Sequence, residues 1–156
     1  MIIPTRISRR PEPISMRITI DTNVIIDVLS KREAFYEDSL RILKLCETNQ
    51  IDGFVSALSI ANIVYILRKE LDSEQTKRII TLLSNVLTID DLKGEDLLKA
   101  SMMDGLDYED ELQIISAQRI KADYVITRNA KHFLNSSVQV VSPTDFLKIY
   151  QQSVLS

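Results

Sequence analysis

Asp21, Thr22 and Asn23 follow a short β-rich run, Arg17-Ile-Thr-Ile20, and set a carboxylate, a hydroxyl and an amide side by side. A carboxylate at the end of a buried strand offers a fixed oxygen ligand to a hard divalent cation, with the hydroxyl and amide as support. The same Asp or Thr could cap a helix in the apolar stretch that follows, and the two readings stand level. A second acidic set comprises Asp104, Asp107, Glu109, Asp110 and Glu111. Asp107 lies three residues before Asp110 and four before Glu111, so on a helix each pair shares a side. Asp110 precedes Ile114 and Ala117 on the apolar stripe, which draws its carboxylate toward the protein. Two carboxylates held together repel, and a divalent cation would offset that repulsion. Acids in a first helical turn also complement the helix dipole, at roughly 0.3–1 kcal/mol each. That explanation suffices for Asp104, Glu109 and Glu111; for Asp107 and Asp110 both stay open.

Rival chemistries lack material. The chain has one histidine, His132, which leaves almost nothing for zinc ligation or a Ser-His-Asp triad. No Gly-rich phosphate cradle of either common spacing occurs. Cys46 lies beside Leu43 and Leu45 and reads as core packing, and Met102 and Met103 read as gap-filling core. A single cysteine cannot form an internal disulfide, so a reducing, cytoplasmic home is expected. The net charge of −3 and pI near 5.2 argue against binding nucleic acid mainly through a basic face. They leave room for a nuclease whose acidic pocket is neutralised by a cation. No apolar run approaches the ~20 residues that span a bilayer, so no membrane partner is expected.

The elements that must position these residues alternate along the chain. Strands are expected at 17–20, 53–56, 86–89, 123–127 and 138–141. Helices are expected at 33–48 (with Tyr36, Leu40 and Leu43 on one face), 58–69, from 72 onward, 94–103, 108–121 and after Ser142. Ser56 or Ser59 could cap the second of these helices. Asp72-Ser-Glu-Gln75 has the form of a capping box, and Ser142-Pro143-Thr-Asp145 combines an N-cap, a first-turn Pro and a third-position acid. Strands separated by helices imply crossovers, hence a mostly parallel α/β sheet covered on both faces, with its site beyond the strands' carboxyl ends. Asp21-Thr22-Asn23, Ser56 and Thr127-Arg128-Asn129 all fall there. The 156 residues fit one domain, assigned to 16–152. Residues 1–15, with Arg6, Arg9, Arg10, Pro11 and Pro13, show no period and are expected to be a flexible extension or the product of a misplaced start before Met16. Pro11, Glu12 and Pro13 speak against a presequence helix.

In order, strand-Asp21-Thr-Asn23, Ser56-Ala-Leu-Ser-Ile-Ala-Asn62, Asp107-Tyr-Glu-Asp110 and Val125-Ile-Thr-Arg-Asn129 resemble the PIN domain family over about Met16 to Tyr150. The resemblance implies a three-layer α/β/α sandwich with about five mostly parallel strands. It also implies Mg²⁺- or Mn²⁺-dependent RNA cleavage; many small bacterial members are toxins paired with an antitoxin. Asp21 matches the first family acid and Asp110 the third, with Asp107 beside it. Asn62 and Asn129 stand where a Glu and an Asp are usual, and an amide of similar reach can ligate a metal but supplies no charge. Under this reading Asp21, Asp107, Asp110 and Asn129 hold the metal. Thr22, Asn23, Asn62 and Thr127 support it, Thr127 by positioning a water or the phosphate, while Arg128 and Lys131 touch the RNA phosphate or are ordinary surface charges. The alternative is a PIN fold with weak or lost turnover that binds RNA or protein; a small-molecule α/β enzyme finds no motif. Ile60, Ile63, Tyr65 and Ile66 exceed what one sheet face needs, so a homodimer or an antitoxin contact is expected there.

Overall fold

A computed structural model describes residues 16–105, 107–133 and 136–156; the extension expected at 1–15 lies outside the described residues. The chain runs β1 (Arg17–Ile20), α1 (Thr22–Leu29), α2 (Tyr36–Glu47), β2 (Asp52–Ser56), α3 (Ala57–Ile66), α4 (Ser73–Val86), β3 (Thr88–Asp90), α5 (Gly94–Ser101), α6 (Tyr108–Arg119), β4 (Tyr124–Ile126), a 3₁₀ turn (Ala130–His132), β5 (Gln139–Val141) and α7 (Pro143–Leu155). The five strands pair in parallel in the order β3-β2-β1-β4-β5. β1 lies central, with Ile20 opposite Ile126 of β4 and Arg17 opposite Asp52 of β2.

The pleat explains the layers. Ile18 and Ile20 point to one face, where Val24, Ile25 and Val28 of α1, Ile42 and Cys46 of α2, Leu83 of α4 and Phe146 of α7 bury against them. Val125, one residue out of phase, packs on the other face with Ile114 and Ala117 of α6. α5 then covers α6 through Ala100, Leu112 and Ile115. Helix α6 is therefore buried from Leu112 through Ala117 without a break. The result is the α/β/α sandwich that the sequence leads one to expect.

The expected caps form. Asp72 and Gln75 exchange both bonds of a capping box, Ser56 Oγ accepts from Ser59 N, and Ser142 Oγ accepts from Asp145 N. The helix that the apolar stretch after Asp21 allows forms as α1, with Asp21 as its N-cap and Val24 through Val28 buried. Three expectations need correction. The third strand begins at Thr88, since Val86 is the last residue of α4. Met102 and Met103 are not core: they follow the end of α5 and are 85% and 39% exposed. On α2 the fully buried face is Ser39, Ile42, Leu43 and Cys46, with Tyr36 and Leu40 only half buried.

Gly53 in β2 has a packing reason. A Cβ there would run into Cys46 Sγ and come within 2.7 Å of Leu87 Cδ2, so a side chain would force β2 off α2.

Candidate active site

The sheet order reverses on either side of β1, and the crevice beyond that point is where open α/β sheets place their ligands. Asp21 leaves β1 there and its N–H still donates to Ile126 O of β4, 2.9 Å away. It is also the N-cap of α1, with Oδ1 accepting from Thr22 N at 2.8 Å. Capping and site duty are thus combined in one carboxylate. Oδ2 accepts from Thr127 Oγ1 at 2.7 Å and from Asn23 Nδ2 at 3.1 Å. Oδ1 receives a longer contact from Gln113 Nε2, at 3.4 Å. Burial pushes the Asp21 carboxyl up; the Thr127 and Thr22 donors pull it back, Asp107 raises it and Arg128 lowers it.

Asp107 caps α6, its Oδ1 accepting from Glu109 N at 2.8 Å and Asp110 N at 3.1 Å. Its charge nonetheless acts on both Asp21 and Asp110. Asp110, half buried in the first turn of α6, is pushed up to about 6, first by burial, then by Asp107 and Asp21, with His132 opposing. Asp21 and Asp110 thus each feel the other acids at this end of the sheet, and both carboxyls are raised. Among the described residues no three His, Cys, Asp or Glu side chains are grouped closely enough to enclose a metal ion. The chain presents a pair of inward carboxylates, Asp21 and Asp110, with Asp107 as an exposed capping neighbour.

Other expected residues take more specific places. Thr127 is fully buried; its hydroxyl donates to Asp21 and accepts from Asn129 N (3.1 Å) and Asn23 Nδ2 (3.3 Å). One donor and two acceptor sites are then used, so Thr127 orients Asp21 and has no capacity left for the water or phosphate expected of it. Thr22 Oγ1 and Ser59 Oγ are 3.0 Å apart, tying α1 to α3. Asn62 Nδ2 donates to Glu109 Oε2 at 3.3 Å, so it contacts the first turn of α6, not Asp21. Asn129 is exposed, as is Lys131. Arg128 turns inward. Its Nε lies 2.6 Å from Oδ2 of the fully buried Asp27, its guanidinium stacks on Phe35 at 4.3 Å, and its N–H reaches Asn23 Oδ1 at 3.4 Å. The guanidinium expected to face phosphate is thus paired within the protein.

Sequence reasoning missed Asp27 and Gln113, and read Ser59 only as a possible cap, whereas its hydroxyl meets Thr22 and Gln113. Asp27 is a lone acid inside an apolar run, and Gln113 interrupts a buried stripe three residues after Asp110. Either interruption is a usable signal, because a polar side chain that faces a core needs a partner there.

Residues 17–131 match the PIN domain family. The chain belongs to that family. This PIN domain is 26% identical to Ribonuclease VapC1 of Aquifex aeolicus (strain VF5) over 137 residues, 85% of this chain and 94% of the relative. Among solved structures it resembles a toxin-antitoxin complex from Klebsiella pneumoniae (TM-score 0.62, 23% identity, 81% of this chain and 97% of that one). It also resembles VapBC-1 from nontypeable Haemophilus influenzae (TM-score 0.59, 21% identity, 83% and 99%). The PIN fold accounts for the crevice at β1 and β4.

One prediction arises directly from the raised Asp110. The folded PIN domain takes up this proton near pH 6, the unfolded chain only near the ordinary 3.8. The associated stabilisation is complete below the ordinary value and is lost as pH rises through about 6. Asp110→Asn should therefore stabilise the metal-free protein at pH 7.5 by about 1 kcal/mol, after discounting for solvent screening, or roughly 2–4 °C in Tm. The gain should vanish by about pH 4. Thermal melts in chelator at both pH values check it; an equal shift at both would contradict the charge argument.

Proposed function

We propose that this PIN domain is a divalent-metal-dependent endoribonuclease of the toxin kind, controlled by an antitoxin protein. The observation that carries the reading is the placement of Asp21 at the crevice beyond β1 and β4, held by Thr127 and Thr22, with half-buried Asp110 raised beside Asp107 in the first turn of α6. The relative from Aquifex aeolicus is a ribonuclease, and the Klebsiella structure is a toxin–antitoxin complex.

The residues fit Mg²⁺ or Mn²⁺. Mg²⁺ characteristically sits on one or two carboxylates, keeps several waters and takes substrate phosphate oxygens, so a pair of acids suffices where a closed cage would not be needed. Asp21 and Asp110 would hold the ion, with Asp107 adding charge beside them and the Asn129 amide within the same end of the sheet. When bound, such an ion lowers the pKa of a water and neutralises charge on the phosphate. The chain's own contribution is orientation. Thr127, Asn23 and Thr22 N fix both oxygens of Asp21, and the cap made by Asp107 fixes the turn that carries Asp110. With Arg128 paired with Asp27, exposed Lys131 would be the one of the two expected RNA contacts left to touch phosphate. Of the four residues expected at a partner contact, Ile63 is core and Ile60 packs half buried against it, so we assign the antitoxin, or a second copy of the chain, to the apolar surface that includes Tyr65 and Ile66 of α3, which are 64% and 49% exposed.

Incubation with single-stranded and structured RNA across a Mn²⁺ and Mg²⁺ titration tests the reading. Cleavage that depends on the ion and stops with chelator supports it. RNA binding without cleavage at any ion concentration would leave a binding module, which the neutral Asn62 and Asn129 favour. Asn129→Asp gives a finer test. The added carboxylate should tighten Mn²⁺ binding roughly fivefold and raise cleavage, while extra repulsion slightly lowers metal-free stability. Lower stability with and without Mn²⁺, at unchanged affinity, would make Asn129 a purely structural residue.

A further inference from the structure

Phe35 breaks a local rule beside the crevice. It is the N-cap residue of α2 and makes no side-chain cap bond, at a position where Ser, Thr, Asp or Asn would satisfy a backbone N–H. It is also 43% exposed, so neither helix capping nor core packing accounts for an aromatic ring there. What holds the ring is Arg128, whose guanidinium lies over it at 4.3 Å from the centroid. Arg128 is itself fixed, with its Nε 2.6 Å from Oδ2 of the buried Asp27 and its N–H donating to Asn23 Oδ1 at 3.4 Å. Asn23 in turn donates to Asp21 Oδ2 at 3.1 Å. A short chain of contacts thus runs from the candidate metal ligand to an exposed aromatic ring. The backbone beneath the ring is held as well, since Phe35 N–H donates to Arg32 O at 2.9 Å. Arg32, with 47% of its side chain exposed, and exposed Lys131 bring positive charge to the same end of the sheet.

We infer that Phe35 is a base-stacking residue for single-stranded RNA, taking a nucleobase that flanks the phosphodiester held at Asp21. This rests on the ribonuclease reading above. A ring with a cation on one face offers the other to a second planar group, and every base has a π-face, so stacking suits strands of any sequence. Paired RNA keeps its bases stacked on one another, so the ring selects unpaired segments. A ring held by an ion pair and a turn loses little freedom when a base settles on it. The inference also gives Arg128 a use that agrees with its inward pairing. Arg128 does not touch phosphate; it holds the ring that touches the base.

The chain contains no tryptophan, so Phe35→Trp introduces a single indole whose fluorescence reports on this place alone. Made in the full chain together with Asp21→Asn, which keeps the RNA intact, it is titrated with an oligouridylate of about ten nucleotides and with an abasic strand of equal length. The uridylate should quench the indole as it binds. The abasic strand carries the phosphates without bases and should leave the fluorescence unchanged. In the same Asp21→Asn background, Phe35→Leu should weaken uridylate binding about tenfold by fluorescence anisotropy of a labelled strand, while Phe35→Trp binds at least as tightly as the chain with Phe35. No quenching at RNA concentrations that saturate the anisotropy overturns the inference. So does equal quenching by the abasic strand, or unchanged affinity in Phe35→Leu. Should RNA bind too weakly in this background to saturate, the KM for Mn²⁺-dependent cleavage decides: a rise of about tenfold in Phe35→Leu at unchanged kcat supports the base contact, and an unchanged KM overturns it. Cleavage by the unsubstituted chain without any of these effects sinks only the role of Phe35. If the unsubstituted chain neither binds nor cleaves RNA, the ribonuclease reading fails and this inference with it.

Discussion

Asp21→Asn should lower Mn²⁺-stimulated RNA cleavage by more than about 100-fold while leaving the fold in place. Losing a group that only supports a metal ligand typically costs 10–100-fold, and a ligand itself should lie at or beyond the top of that range. The substitution removes the charge that Asp107 and Asp110 reinforce, at a residue reached from α1, from α6 and from Thr127 just past β4. An amide also offers only one accepting oxygen to four donors, so its NH₂ group must face at least one of them. Far-UV circular dichroism should be unchanged, because the core on both faces of the sheet does not involve this side chain. Cleavage that persists at a tenth or more of the original rate would remove Asp21 from the reaction.

Asp27→Ala should be the most damaging single substitution to stability outside the apolar core, at about 2–4 kcal/mol, or roughly 10 °C in Tm. Asp27 is fully buried in α1 and faces two arginines, Arg128 at 2.6 Å and Arg32 at 3.4 Å. Burial pushes its carboxyl up, and Arg128 and Arg32 bring it back only part of the way. A buried ion pair is often no better than a well-packed apolar replacement, yet removal of one partner strands the Arg128 guanidinium against Phe35. A double variant, Asp27→Leu with Arg128→Met, should recover most of the lost stability. Recovery of less than about half in urea melts would show that the ion pair stabilises on its own account. The pair also anchors the segment after β4 to α1, through Arg128 N and Asn23, so Asp27→Ala should weaken Mn²⁺ binding as Thr127 loosens.

The order of elements and most of their ends were legible in the residues because those signals are local. A period of two with β-branched residues marks β1, and Ser142-Pro143 marks the start of α7 with atoms that meet within one turn. Asp21 and Asp110 could be named because each sits at the end of a local pattern, a strand in one case and a first helical turn in the other. What the two acids share was not local. Their coupling depends on β1 lying beside β4 and on α6 crossing over that edge, a consequence of strand order that no spacing within the chain reports. The same holds for the assignments that moved. Arg128 looks like a phosphate contact from its place beside Thr127, but the folded chain brings the buried Asp27 within 2.6 Å, and a desolvated charge takes the partner at hand. Met102 looks like core from its type, but it falls past the last turn of α5, where no element covers it. Gln113 was hidden because α6 is enclosed from Leu112 through Ala117, and a stretch buried all round loses the polar face whose period would reveal its special positions. Local sequence therefore determined which groups could do chemistry, and packing between distant segments decided which of them come together.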